Sequence, residues 1–204
     1  MTMTEIAELH TAAGKAIAEL DTTPIRAAAE ILHRVRLSHG VVLTAGNGGS
    51  SSTASHFAGD LTKFPRSPRW PHLRAVALAD NVACHTAWAN DDVPGLSSMH
   101  LAEPWLQLPR PEVTNAVVLF SVHGGSRDGS VSNNLVELAR YARHQSAQVI
   151  AVTGFDGGAL SELADAHINV AMHEEPLATP GIESVHLLIA HALCLVLLKM
   201  AGNP

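Results

Sequence analysis

Val41-Val42-Leu43-Thr44-Ala45 runs without a break into Gly46-Asn47-Gly48-Gly49-Ser50-Ser51-Ser52. Five apolar or β-branched residues with no polar alternation describe a strand covered on both faces. The glycines that follow describe a tight turn, and residues 51–63 then carry a helical pattern. The same unit recurs along the chain. Buried-strand patterns occupy 75–79, 116–122, 149–153 and 168–170, with helical patterns at 82–89, 130–144 and 159–164 between them. Strand–helix–strand order implies right-handed crossovers and a parallel sheet with helices on both faces, so the expected fold is α/β in three layers. Two helices are expected before the first strand, over residues 1–39, packing on the core or on a partner subunit. The second starts at Asp21-Thr22-Thr23-Pro24, where a Thr cap followed by Pro is a helix-start signal. A last helix is expected from about Pro180 to about Met200. Pro65 to Pro71 reads as a loop, so the 204 residues form one domain.

Composition narrows the function classes. Hydrophobic residues make up 47% and charged residues 16%, which is a globular and not a disordered balance. A formal charge of −6 argues against a nucleic-acid partner. Lys63, Arg66, Arg69 and Arg74 lie close together, but prolines among them describe a solvated loop. The two cysteines, Cys84 and Cys194, have no metal-ligand spacing and fit a reducing compartment without disulfides. Residues 1–14 lack a signal-peptide pattern, and the apolar run 187–198 is shorter than the roughly 20 residues that a bilayer requires. A cytoplasmic protein with no membrane partner is therefore expected. Leu187, Leu188, Ile189, Leu193, Val196 and Leu197 wrap most of the last helix, so it is either central to the domain or buried in a homo-oligomer, and the second is the favoured expectation.

Ligands of an open parallel sheet bind beyond the carboxyl ends of its strands. Three strands end there in glycine-rich turns: 46–52, Ser121-Val122-His123-Gly124-Gly125-Ser126, and Gly154-Phe155-Asp156-Gly157-Gly158. The first two, with serines and free N–H groups, suit a phosphate. The third carries an acid and suits it less. No Lys-Ser or Lys-Thr follows the glycines, and no third glycine or distal acid completes a dinucleotide fingerprint, so no organic cofactor is expected. Ser50 and Ser126 are the expected phosphate-binding side chains, with His123 assisting as a donor.

His56 and Asp60 are four apart on the helix after the first turn, and Glu183 and His191 are eight apart on the last helix. Each pair shares a helix face. Two histidines and two carboxylates suit zinc or a similar divalent ion, and equally suit general acid–base work without one. With 13 histidines in the chain, a surface ion pair at His56–Asp60 and a buried core role for His191 are the alternative readings.

Gly46-Asn47-Gly48-Gly49-Ser50, followed by His56-Phe57-Ala58-Gly59-Asp60-Leu61-Thr62, closely resembles the signature of the phosphoheptose isomerases, which are sugar isomerase (SIS) domain enzymes. Ala89-Asn90-Asp91, Thr153 to Gly158, and Gly181-Ile182-Glu183-Ser184-Val185-His186 leading to His191 extend the likeness over about residues 30–200. The resemblance implies a five-stranded, flavodoxin-like parallel sheet, a homotetramer with sites between subunits, and interconversion of sedoheptulose 7-phosphate and glycero-manno-heptose 7-phosphate through an enediol. It implies substrate contacts at Asn47, Gly48, Gly49, Ser50, Asn90 and Asp91, with Glu183 beside them. The implied phosphate loop is Ser121 to Ser126, including His123. The implied zinc ligands are His56, Asp60, Glu183 and His191, with Asp60 and His191 as catalytic groups. Three positions depart from the family: Asp60 stands for Glu, Glu183 for Gln, and Val122-His123 replaces two hydroxyl residues. A non-catalytic SIS protein that binds a sugar phosphate or a partner such as a replication initiator is the alternative reading, and an isomerase of a specialised antibiotic or nucleotide-sugar pathway is another.

Overall fold

The computed structural model describes residues 3–63, 71–91, 95–107 and 110–202. Helices α1 (Met3–Ala18) and α2 (Thr23–Leu37) lead into β1 (Val41–Gly46) and α3 (Gly49–Lys63). Then come β2 (Arg74–Ala77), a 3-10 turn (Leu78–Asp80), α4 (Val82–Asp91), α5 (Ser97–Leu106) and β3 (Ala116–Ser121). The chain ends with α6 (Asn133–His144), β4 (Gln148–Gly154), α7 (Leu160–Leu163), β5 (Ala166–Val170) and α8 (Ala178–Met200). The five strands form one parallel sheet in the order β2-β1-β3-β4-β5.

The strands read as unbroken apolar runs because each face meets its own layer. Val42, Val118, Phe120, Ile150, Val152 and Ile168 pack with buried residues of α2, α3 and α8. Their neighbours Leu43, Val117, Leu119, Val149 and Ala151 pack with buried residues of α5 and α6. Alternation is present in space and invisible in hydrophobicity.

Several boundaries differ from expectation for local reasons. The expected second strand stops at Ala77, where the chain turns through Leu78–Asp80 and Asp80 accepts a hydrogen bond from Ser55 (2.6 Å). Helix α6 starts at Asn133 and not at Ser130, because the N–H and hydroxyl of Ser130 both bond Asp128. Thr22 makes no side-chain cap; the Asp21 carboxylate accepts the Thr23 N–H instead (2.8 Å). Helix α5, with Pro104 inside it, was not anticipated. The loop anticipated at Pro65 to Pro71 lies, apart from Pro71, outside the described residues, as do Arg66 and Arg69.

Helix α8 is 23 residues long, and by length and composition it is long and apolar enough to cross a membrane, unlike the shorter run read from sequence. Half of its most apolar window is buried, however, against α1, α2, α3 and the sheet, which makes it a core helix. Leu188 and Leu195 remain 45% and 62% exposed on its outer side.

The loops after β3 and β4 interlock. Leu160 N–H bonds the Gly124 carbonyl (2.9 Å) and Ala159 N–H the Gly125 carbonyl (2.8 Å). Gly124 has φ +68°, and a Cβ there would sit 1.9 Å from the Gly157 oxygen. Gly59, in the exposed middle of α3, would meet nothing within 4 Å. Gly124→Ala is therefore expected to destabilise by about 2 kcal/mol or more, and Gly59→Ala to stabilise by about 0.5–1 kcal/mol. Urea unfolding of both variants reads this directly, and a neutral Gly124→Ala would contradict the interlock.

Candidate active site

Strands β1 and β3 are neighbours, yet α3 covers one face of the sheet and α6 the other. The crevice between the two departing connections is the switch point of the sheet. The glycine turn after β1 and the loop after β3 both open there.

Helices α3 and α8 pack along one face, and their meeting side chains form the densest chemical cluster. His56 Nε2 lies 3.3 Å from Asp60 Oδ2, His191 Nε2 lies 3.6 Å from the same oxygen, and the two Nε2 atoms are 3.2 Å apart. Among the described residues this is the group of three able to hold a metal ion. The edge of a tetrahedron around zinc, with bonds of about 2.0–2.1 Å, is about 3.3 Å. The three donors are thus already spaced as ligands of one ion. They face outward, with His56 and His191 side chains 49% and 47% exposed and Asp60 26%.

Glu183 does not join them. A Cβ on Gly49 would fall 2.5 and 2.6 Å from its carboxylate oxygens, so Glu183 abuts the first residue of α3. Eight residues of helix separate Glu183 from His191 by about 12 Å along the axis, although they share a face. The four-ligand expectation counted angle and not rise. Where Glu183 stands, its negative charge meets the positive end of the α3 dipole.

The loop after β3 is closed by its own hydroxyls. Ser121 Oγ, buried, accepts the Gly124 N–H (3.1 Å). Ser126 Oγ accepts the Val131 N–H (2.9 Å) and pairs with Ser130 (3.1 Å). Bonds from Ser126 and Ser130 hold the Asp128 carboxyl down at about 2. The His123 ring stacks on Phe155 at 4.5 Å and 12°. These rings, with Ser126, Arg127, Asp156 and His173, line a cleft of about 530 Å³. Asn47 and Ser50 are not among its walls, and Ser50 is buried. The structure therefore groups Ser126 with His123 but not with Ser50. Asn90 bonds Asp91 (2.7 Å) at the exposed end of α4.

Sequence reading missed Ser98, Ser132 and Asn134. Asn134 Nδ2 donates to Asn47 Oδ1 (2.8 Å) and to Ser98 Oγ (3.0 Å). Asn47 Nδ2 donates to Asn134 Oδ1 (3.0 Å) and, at 3.4 Å, to Ser132 Oγ. The available signal was the run Ser132-Asn133-Asn134 at the start of a helix, a polar cluster at a sheet's carboxyl edge.

Comparison with known proteins defines the class. Residues 8–154 match the SIS domain model, and the chain belongs to that family. Its relatives within the family include phosphoheptose isomerases. The phosphoheptose isomerase of Aromatoleum aromaticum is 34% identical over 175 residues, covering 84% of this chain and 80% of that protein. The phosphoheptose isomerase GmhA from Neisseria gonorrhoeae superposes with a TM-score of 0.75 at 28% identity over 95% of both chains. The lincomycin biosynthesis protein LmbN of Streptomyces lincolnensis is 49% identical over 181 residues, covering 89% of this chain. This chain spans 64% of that protein's length.

Beneath the site, His186 of α8 is fully buried near Phe120, and among the described residues neither ring nitrogen has a hydrogen-bond partner of good geometry. Burial pushes its pKa down to about 4, against a weak pull from the Thr153 backbone. An unfolded chain protonates this group below about 6.5, and the folded chain waits until about 4. Between those values the unfolded state binds more protons, so stability falls as pH falls. His186→Leu is expected to flatten the loss of urea midpoint between pH 6.5 and pH 4. His33 and His167, shifted the same way by burial, leave a residual slope. An unchanged slope would show that His186 does not stay neutral in the fold.

Proposed function

We propose that this protein interconverts the ketose and aldose forms of a sugar phosphate, with sedoheptulose 7-phosphate the first substrate to test. The observation that carries the reading is the convergence of His56, Asp60 and His191 on the α3–α8 seam, in a chain whose relatives are phosphoheptose isomerases. Isomerisation moves one proton between C1 and C2 and another between their oxygens. A carboxylate suits the carbon-bound proton and an imidazole the oxygens. Asp60 takes the first role and His191 the second, with an enediol between the two transfers. The same donor atoms of His56, Asp60 and His191 would alternatively hold zinc, and the ion would then supply polarisation of the carbonyl in place of the His191 proton transfer. The sugar lies along the turn 47–50 with Asn90 and Asp91, and Glu183 backs that turn. The phosphate lies at the loop after β3, against Ser121, His123 and Ser126. Sequence identity to LmbN exceeds that to the phosphoheptose isomerases, so the test panel includes sugar phosphates besides sedoheptulose 7-phosphate.

The working form is a cytoplasmic homo-oligomer, most simply a tetramer. None of the residues of α4 is buried, although Val82, Ala83, Ala87 and Trp88 are apolar. Leu188, His191 and Leu195 form one outward stripe on α8, at spacing that places them on a common face. A second copy over these surfaces would also cover the half-exposed histidines. Light scattering at micromolar concentration is expected to give a mass of at least two chains, and a clean monomer would refute this.

Turnover in deuterated water, followed by NMR, is expected to label C1 or C2 of the substrate. Asp60→Asn should lower kcat by about 100-fold or more, the usual scale of a lost general base. Purified protein dialysed against zinc should retain one ion per chain, and His56→Ala should weaken retention by about tenfold or more with the fold intact. Absence of label with every sugar phosphate, in zinc-loaded protein, would leave a binding protein and not an enzyme.

A further inference from the structure

The amides of Asn47 and Asn134 are paired face to face across the switch crevice. Each donates to the other's oxygen, at 2.8 and 3.0 Å. A carboxamide has two N–H donors. Those of Asn134 go to Asn47 and to Ser98, which is buried in α5. Those of Asn47 go to Asn134 and, more weakly, to Ser132. All four donors are in use, and reversing either amide alone would set N–H against N–H. Ser132 adds an independent sign. It stands at the position that caps α6 but makes no cap bond, and its backbone is left-handed at φ 48° and ψ 37°, a region that residues other than glycine seldom adopt. Its hydroxyl lies on the Asn47 side instead.

We propose that Asn134 is a positioning residue, and that Asn47 serves as a strut and not as a hydrogen-bond donor to the ligand. The strut ties the turn Gly46–Gly49 to the start of α6 and, through Ser98, to α5. It thereby sets the width of the crevice between the turn after β1 and the loop after β3. Asn47 has no side-chain donor left for a ligand, so this turn can offer one only its backbone, its shape and the second lone pair of Asn47 Oδ1. The inference rests on the sugar-phosphate reading only for its kinetic consequence.

Two measurements separate the strut from that reading. In ligand-free protein, NMR should show cross-peaks between the side-chain amide protons of Asn47 and Asn134, and slowed exchange of both, lost on Ser98→Ala or Asn134→Ala. Missing cross-peaks in the native protein would overturn the strut whatever the activity. With sedoheptulose 7-phosphate, Asn134→Ala should raise KM about tenfold while kcat changes less than threefold, with an unaltered circular dichroism spectrum. The Asn47→Ala, Asn134→Ala double variant should be no worse than either single one, because the two act as a unit. An additive double variant, or a larger loss from Asn47→Ala, would show that Asn47 acts on the substrate independently of Asn134 and overturn the proposal. A merely structural role would lower the melting temperature and leave KM unchanged, which also overturns it. Cross-peaks present with no turnover would retain the strut and remove the isomerase reading.

Discussion

The seam between α3 and α8 is the constraint on which the rest depends. Helix α3 is fixed by the strand that feeds it, since β1 ends at Gly46 and α3 begins at Gly49. Helix α8 comes last and must find its place against surfaces already made. The absence of a side chain at Gly49 lets α8 approach until the Glu183 carboxylate meets the start of α3. Once that end is set, the parallel run of the two helices brings His191 to His56 and Asp60 about two turns further on. A side chain at Gly49 would displace the Glu183 carboxylate, the far end of a flexible side chain, and take its charge away from the start of α3.

The opposite wall of the crevice is built by different means. Helix α6 does not reach the sheet's edge through a tight turn. It follows a loop from Ser121 to Ser132 in which Ser126, Asp128 and Ser130 satisfy one another and the backbone. Such a loop keeps its shape through internal hydrogen bonds, which draws its hydroxyls inward and reduces what it can present to an anion. The His123–Phe155 stack pulls the imidazole toward the β4 side. Phe155 itself sits at φ 50°, an uncommon conformation for a bulky residue. The two walls thus differ in kind: a helix seam with converging donors on one side, and a self-bonded loop capped by stacked rings on the other.

How far this was legible in the sequence follows from what periodicity carries. The strands and their parallel order were readable because a strand buried on both faces has an apolar signature that loops and surface helices lack. The pairs His56–Asp60 and Glu183–His191 were readable as helix faces, and His56, Asp60 and His191 do meet. Glu183 lies outside their cluster, because a shared face says nothing about separation along the axis. The loop serines were readable as a polar turn but not as partners of one another, since hydroxyl pairing depends on the path of the backbone. Asn134 carried no periodic signal at all. Its partner lies 87 positions away, and only the sheet order brings them together. Helix α5 escaped because Pro104 interrupts its pattern.

The exposure of the histidine–carboxylate trio bears on how such a site could work. Charges in contact with bulk water interact weakly, because the high dielectric screens them. Polarising a carbonyl or holding an enediolate requires that water be displaced from around the reacting atoms. The substrate itself can displace some of it from the crevice side, where the turn after β1 and the loop after β3 stand on either hand. It cannot do so on the outer side of α8, where Leu188 and Leu195 flank His191 and face solvent. Apolar residues beside catalytic groups exclude water only when something packs on them. The proposed chemistry and the proposed assembly would make the same demand on one helix face, since a second copy packed over this stripe would exclude water from the site it flanks.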